Sequence, residues 1–172
     1  MEPIPKDVIE MADDFFSHTD AEGKKNIMKK FTLEQPKLAS LFDYMIVKQV
    51  PKTVYDNCNN LYLIVYRCYQ YYGIKLSSLT VDFIDKKHRE IMTEVDKKTV
   101  TGHTIIVLDK LAKENTNQND LLDYIFAKLV QENGIDVYYD DQNNMMIAYF
   151  NMLSMIFILN EAMKIQMSKI VN

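Results

Sequence analysis

Residues 51–72 read PKTVYDNCNNLYLIVYRCYQYY, and their spacing decides the fold. Val54, Cys58, Leu61, Val65, Cys68 and Tyr72 recur in steps of four and three, which is the seam of a helix buried in a bundle. Tyr55, Tyr62, Tyr66 and Tyr69 form a second stripe beside that seam. Asn57, Asn60, Arg67 and Gln70 lie on the opposite side, and Gly73 stands where a left-handed terminal residue is wanted.

The same period extends outward from this helix. Toward the amino terminus, a helix is predicted from about Pro5 to Phe16 with Val8, Met11, Ala12 and Phe15 on one face. Asp20 caps a second segment carrying Ile27, Met28 and Phe31, and a restart between Thr32 and Pro36 leads to Leu38, Leu41, Phe42 and Met45. Toward the carboxyl terminus, a helix opens near Ser78 or Thr80 with Val81, Ile84, His88, Ile91 and Val95 on one face. Residues 99–108 are rich in β-branched side chains, so a strand pairing with residues 135–139 is the minor α+β alternative. A helix continuing to about Glu114 is preferred, because Leu108, Leu111 and Ala112 keep helical spacing. Asn119 is read as the cap of a helix burying Leu122, Ile125, Phe126 and Leu129 and stopped by Gly134. A final helix from about Asp141, apolar on most sides through residues 145–159, occupies the centre.

Composition agrees with this reading. Gly and Pro together number eight in 172 residues, where an average chain would carry roughly twenty, and a β-sandwich or barrel needs them at its turns. The expectation is one all-α domain over residues 1–172, a bundle of six to seven helices. An internal repeat is also suggested. Leu41 to Val50 and Leu121 to Val130 match at five of ten positions eighty residues apart, and Lys30 and Glu34 match Lys110 and Glu114 at that spacing. Asn59-Asn60 and Asn143-Asn144 each precede an apolar run. Residues 30–72 and 110–163 are thus read as two related helical hairpins.

Twenty basic against 24 acidic residues leave a charge of -4, and no concentrated basic patch offers to replace counterions on a phosphate backbone. Nucleic acid is therefore a disfavoured partner. Around Gly73 a helix-turn-helix is also disfavoured, because Tyr69 stands where a small residue is needed and Asp82 where an apolar one is. The apolar run at 145–159 is shorter than the ~20 residues a bilayer span requires, so no membrane association is expected. Cys58 and Cys68 fall on one helix about 15 Å apart, too far for a disulfide between them. With no secretory pattern at residues 1–7, a reducing cytoplasm is the expected location.

Isolated glycines exclude the familiar nucleotide loops, and no nucleophile elbow or metal-ligand spacing is present. No cofactor is expected. His88, preceded by Asp85, and the paired Asp43-Tyr44 and Asp123-Tyr124 are the candidates for a polar or metal-binding site. Eleven Tyr and eleven Met suit a contact surface, for which Tyr55, Tyr62, Tyr66 and Tyr69 are the candidate stripe. The resulting expectation is a non-enzymatic interaction or regulatory module engaging a protein partner or a second copy of itself as a homodimer. A small-molecule or metal-binding bundle with enzymatic capacity is the alternative.

Overall fold

The computed structural model describes residues 2–47, 52–71, 76–98, 104–131 and 142–171. Within them the chain is all-α. Eight α-helices follow in order: α1 (Lys6–His18), α2 (Ala21–Glu34), α3 (Pro36–Val47), α4 (Lys52–Gln70), α5 (Val81–Lys98), α6 (Thr104–Thr116), α7 (Asn119–Phe126) and α8 (Gln142–Val171). A π-helical turn, Ala127–Gln131, extends α7. Eight is more than the six to seven expected, because α2 and α3 separate at Gln35 and α5 and α6 are distinct helices. Residues 104–108 are helical, and no strand occurs among the described residues, so the α+β alternative is not supported. Its other half, residues 135–139, lies outside them, as do Tyr72, Gly73, His103 and Gly134.

Local chemistry explains most boundaries. Asp20 caps α2 as expected, its Oδ1 accepting from the Gly23 N–H at 2.7 Å. Thr80 does the same for α5, with Oγ1 accepting from the Phe83 N–H at 3.3 Å. Asn119 is not a cap but the first residue of α7. The N-cap position belongs to Gln118, whose side chain makes no cap bond. Asn117 joins α6 to α7 at φ 56, a left-handed conformation that Asn tolerates better than most residues.

α8 is the axis of the molecule. It packs against α3, α4, α5, α6, α7 and the π-helical turn, and its length is about 45 Å. Between Ala148 and Met163 almost every side chain is buried, including the polar Asn151, Ser154 and Asn160. α4 has the second-largest share of contacts, carrying α1, α2 and α3 on its surface while α5, α6 and α7 pack on α8. Cys58, Leu61, Val65 and Cys68 are buried as the seam predicts. One face was misassigned: α1 buries Ile9, Ala12 and Phe16, leaving Met11 and Phe15 exposed. Two apolar stripes run side by side on that helix, and the one that is buried belongs to a helix packed against α4 and α7.

Two fully buried glutamines hold the helices in register. Gln118 Oε1 accepts from the Ile4 N–H at 2.8 Å, while its Nε2 donates to the Glu2 carbonyl at 3.4 Å and to Asn160 Oδ1 at 3.2 Å. Gln35 Oε1 accepts from the Leu79 N–H at 3.0 Å, and its Nε2 donates to the carbonyls of Leu76 and Ser77. Each glutamine precedes a helix, α7 or α3, and clasps the extended segment that leads into α1 or α5. Accordingly α1 touches α7 and α3 touches α5. This correspondence pairs Gln35 with Gln118, Leu38 with Leu121 and Ala39 with Leu122, all buried. It differs from the eighty-residue register of the sequence match, which sets buried Ala39 against exposed Asn119. The second asparagine match fails also, since Asn59-Asn60 lie inside α4 whereas Asn143-Asn144 open α8.

Truncating a clasp strands buried backbone groups, which cost more to leave unpaired than a bond contributes when made. Gln118→Ala is expected to lower unfolding free energy by about 2–4 kcal/mol in urea denaturation. Ser40→Ala, which removes an exposed bond to the Pro36 carbonyl, should change it by less than about 0.5 kcal/mol. Equal effects of the two substitutions would remove the clasp from the account.

Candidate functional site

The tyrosine stripe does not face outward. Tyr62, Tyr66 and Tyr69 are buried and Tyr55 is half-buried, since residues 61–66 of α4 are enclosed on all sides. Their hydroxyls are used internally: Tyr69 donates to the Ile156 carbonyl of α8 at 3.1 Å, Tyr66 to Glu34 at 2.9 Å and Tyr55 to Asp43 at 3.1 Å. Burial and the Glu34 carboxylate push the Tyr66 hydroxyl above the usual tyrosine range.

The polar candidates are dispersed in the same way. Asp43 serves Tyr55, whereas Asp123 is paired to Lys113 of α6, which also holds Asp109 at 2.9 Å. Tyr149 of α8 donates to Asp109 at 2.6 Å, so Asp123 belongs to a network tying α6, α7 and α8 together. Burial and Asp109 raise the Tyr149 hydroxyl far above its ordinary value, which keeps it a neutral donor. Among the described residues no three His, Cys, Asp or Glu side chains are grouped to hold a metal ion. Burial pushes the thiols of Cys58 and Cys68 up to about 12, so neither is a thiolate nucleophile.

His88 packs edge-on against Phe150, ring centroids 5.9 Å apart, and its Nδ1 is buried. Burial lowers its pKa, with Asp85 opposing. Next to it on α5, Lys87 reaches Glu90 at 2.7 Å and Glu161 of α8 at 3.5 Å. Burial works against the charge on Lys87, but the two glutamates outweigh it and raise the pKa. For Glu161, burial is likewise outweighed by Lys164 and Lys87, which hold the carboxyl low. These ion pairs fasten α5 to α8.

Beside that fastening the surface opens into a cleft of about 680 Å³ between α5, α6 and α8. Its floor is Ile91, Leu111, Ala112, Leu153 and Phe157, and its rim carries Lys86, Arg89, Glu90 and Glu94 of α5 with Asn115 and Thr116 of α6. An apolar floor with a charged rim is how a binding cleft fixes a ligand by burial and orients it by polarity. Among the described residues the lining contains no Ser, Cys or His. In the sequence Lys86, Arg89 and Glu90 read as a mixed-charge helix face, and the other lining residues are legible only by their places in a helix. A gap between helices depends on side-chain size at three separate positions, which no single-helix pattern reports.

No family model matches this chain, and no curated protein or solved structure matches it either. No helix among the described residues is long and apolar enough to cross a membrane.

The His88 environment sets a pH dependence. Its folded-state value lies below the ordinary 6.5, so between the two values the unfolded chain binds the extra proton. The contribution of neutral His88 is whole above pH 6.5 and declines as pH falls toward the folded value. By proton NMR, the His88 ring is expected to titrate below 6.5, and His88→Gln should flatten the loss of stability between about pH 7 and pH 5. A midpoint at or above 6.5 would contradict this environment.

Proposed function

We propose that the chain is a non-enzymatic helical interaction module, and that the cleft between α5, α6 and α8 is where a segment of a partner protein docks. One observation carries this reading: a bundle whose axial helix is enclosed nearly all round leaves one flank of α8, at Leu153 and Phe157, at the floor of an open cleft. Interfaces combine an apolar centre with a polar rim, and an amphipathic segment lying in a groove between helices uses that combination. The rim charges of α5 suit an oriented polypeptide. Exposed Met92 on the same helix adds apolar surface of the adaptable kind found at contacts.

We further propose that the two halves, α1–α4 and α5–α8, derive from one four-helix ancestor. The reciprocal glutamine clasps support this over the simpler pair of hairpins, since they relate four helices in each half. A single-chain duplicate already buries against itself the surface that two copies would share, which argues for a foreign partner above a homodimer. A second reading places a small apolar ligand in the cleft; its volume falls within the roughly 300–1,000 Å³ of small-molecule sites.

A random peptide library panned on the purified protein should enrich sequences that bind it at least about tenfold more tightly than its Leu111→Trp variant, whose indole fills the cleft. Circular dichroism would establish that the variant is folded. Equal binding to both proteins would refute docking in the cleft, and native mass spectrometry revealing a co-purified small molecule would favour the second reading.

A further inference from the structure

We infer that a second surface, formed by α1 and the end of α4 and independent of the cleft, binds a partner segment in which an Asp or Glu carboxylate stands between apolar side chains. Arg67 is its centre.

Of the 20 basic residues only two are arginines, Arg67 and Arg89, so lysine carries most of the solvated positive charge of this chain. Arg89 lines the cleft and donates from Nε to the Asp85 carbonyl at 3.2 Å. Arg67 fits neither pattern. Its guanidinium carbon lies 3.8 Å from the centre of the Phe15 ring and 5.7 Å from that of Tyr71. Among the described residues the group is held in no ion pair, and its Nε is buried without a hydrogen-bond partner. Because Nε is enclosed, an acceptor arriving from solvent meets Nη1 and Nη2. A guanidinium stacked on a ring keeps those donors in one plane and loses little freedom when a carboxylate arrives, so Arg67 is pre-organised for a planar oxyanion.

The frame around Arg67 is apolar and exposed. Met11 and Phe15, one turn apart on α1, and Tyr71 at the end of α4 all reach solvent. Met, Phe, Tyr and Arg are the residue types enriched at protein contacts. Apolar surface from two helices thus flanks one guanidinium. A chain terminus would cover one flank, whereas a segment running across covers both, which places the carboxylate on a side chain inside the segment.

Charge selects a carboxylate over a phosphate. Glu10, Asp13 and Asp14 share α1 with Phe15, and each faces another cation: Lys6 at 3.6 Å, Lys128 at 3.3 Å and His18 at 3.2 Å. These acids leave Arg67 without an internal partner, and their charge opposes a dianion, for which the surface offers a single guanidinium. A monoanionic carboxylate matches it one to one.

The tripeptides N-acetyl-Leu-Asp-Leu amide and N-acetyl-Leu-Asn-Leu amide differ in the carboxylate alone, and nitrogen-15 NMR of the intact chain reads both, including the Arg67 Nε resonance. The Asp peptide should shift that resonance and the amides of Met11, Phe15 and Tyr71 at millimolar concentration, with a Kd at least about threefold below that of the Asn peptide. Arg67→Gln, shown by circular dichroism to be folded, should abolish the difference between the peptides. Leu111→Trp, which fills only the cleft, should preserve it. A Kd ratio near one in the unaltered chain overturns the inference without recourse to any variant. So does an Asp preference that survives in Arg67→Gln or disappears in Leu111→Trp, as does a lower Kd for inorganic phosphate than for the Asp peptide. Each of these results leaves docking in the cleft to its own test.

Discussion

Burial of α8 on nearly all sides is the constraint from which the remaining architecture follows. A helix with apolar residues around its whole circumference has no solvent face to offer, so helices must surround it. Five other helices do so, and α4, itself enclosed at residues 61–66, is the largest of those contacts. Hydrophobic burial is non-directional and cannot by itself fix the rotation or register of such a helix. The polar residues inside the core supply direction. Tyr69 of α4 donates to the Ile156 carbonyl, Asn151 Nδ2 donates back to the Ile147 carbonyl, and Asn160 accepts from Gln118. The Tyr69 and Gln118 bonds join α8 to other elements, so an alternative packing would leave a buried polar group unpaired at considerable cost, whereas the Asn151 bond lies within α8 itself.

The glutamine clasps extend that logic to the periphery. Gln35 and Gln118 sit at helix junctions, yet their side chains serve neither junction; they satisfy the backbone of extended segments distant in sequence. Each half thereby holds the entry to the other half's first helix. The consequence is interlocking, because α1 depends on the α6–α7 link and α5 depends on the α2–α3 link. The ion pair Lys128–Asp13, between the π-helical turn and α1, reinforces the first of these connections, while Lys87–Glu161 fastens α5 to α8.

The fold class was legible in the sequence because two signals agreed, the helical period of Val54 to Cys68 and the scarcity of Gly and Pro. The amphipathic assignment failed where period alone could not choose. On α1 the expected face of Val8, Met11, Ala12 and Phe15 and the buried one of Ile9, Ala12 and Phe16 are both apolar, and the choice depends on α4 and α7, against which α1 packs. Tyrosine suits both interfaces and core boundaries, so the sequence alone does not place Tyr62, Tyr66 and Tyr69, and the deciding fact, that α4 is enclosed, lies in other helices. The repeat expected from Asp43-Tyr44 and Asp123-Tyr124 implies a register different from the one that the glutamine clasps relate.

The cleft and the buried axis are two sides of one arrangement: Leu153 and Phe157, from the enclosed stretch of α8, also line the cleft between α5 and α6. The account depends on α8 being the last element to open. Native-state hydrogen exchange in low urea tests this most directly. The amides from Ala148 to Met163 are predicted to exchange only through global unfolding, with the full denaturant dependence of the intact domain, while α5 and α6 beside the cleft open at lower free energy. Exchange of those α8 amides through a local opening, at a free energy below that of α5 and α6, would contradict it.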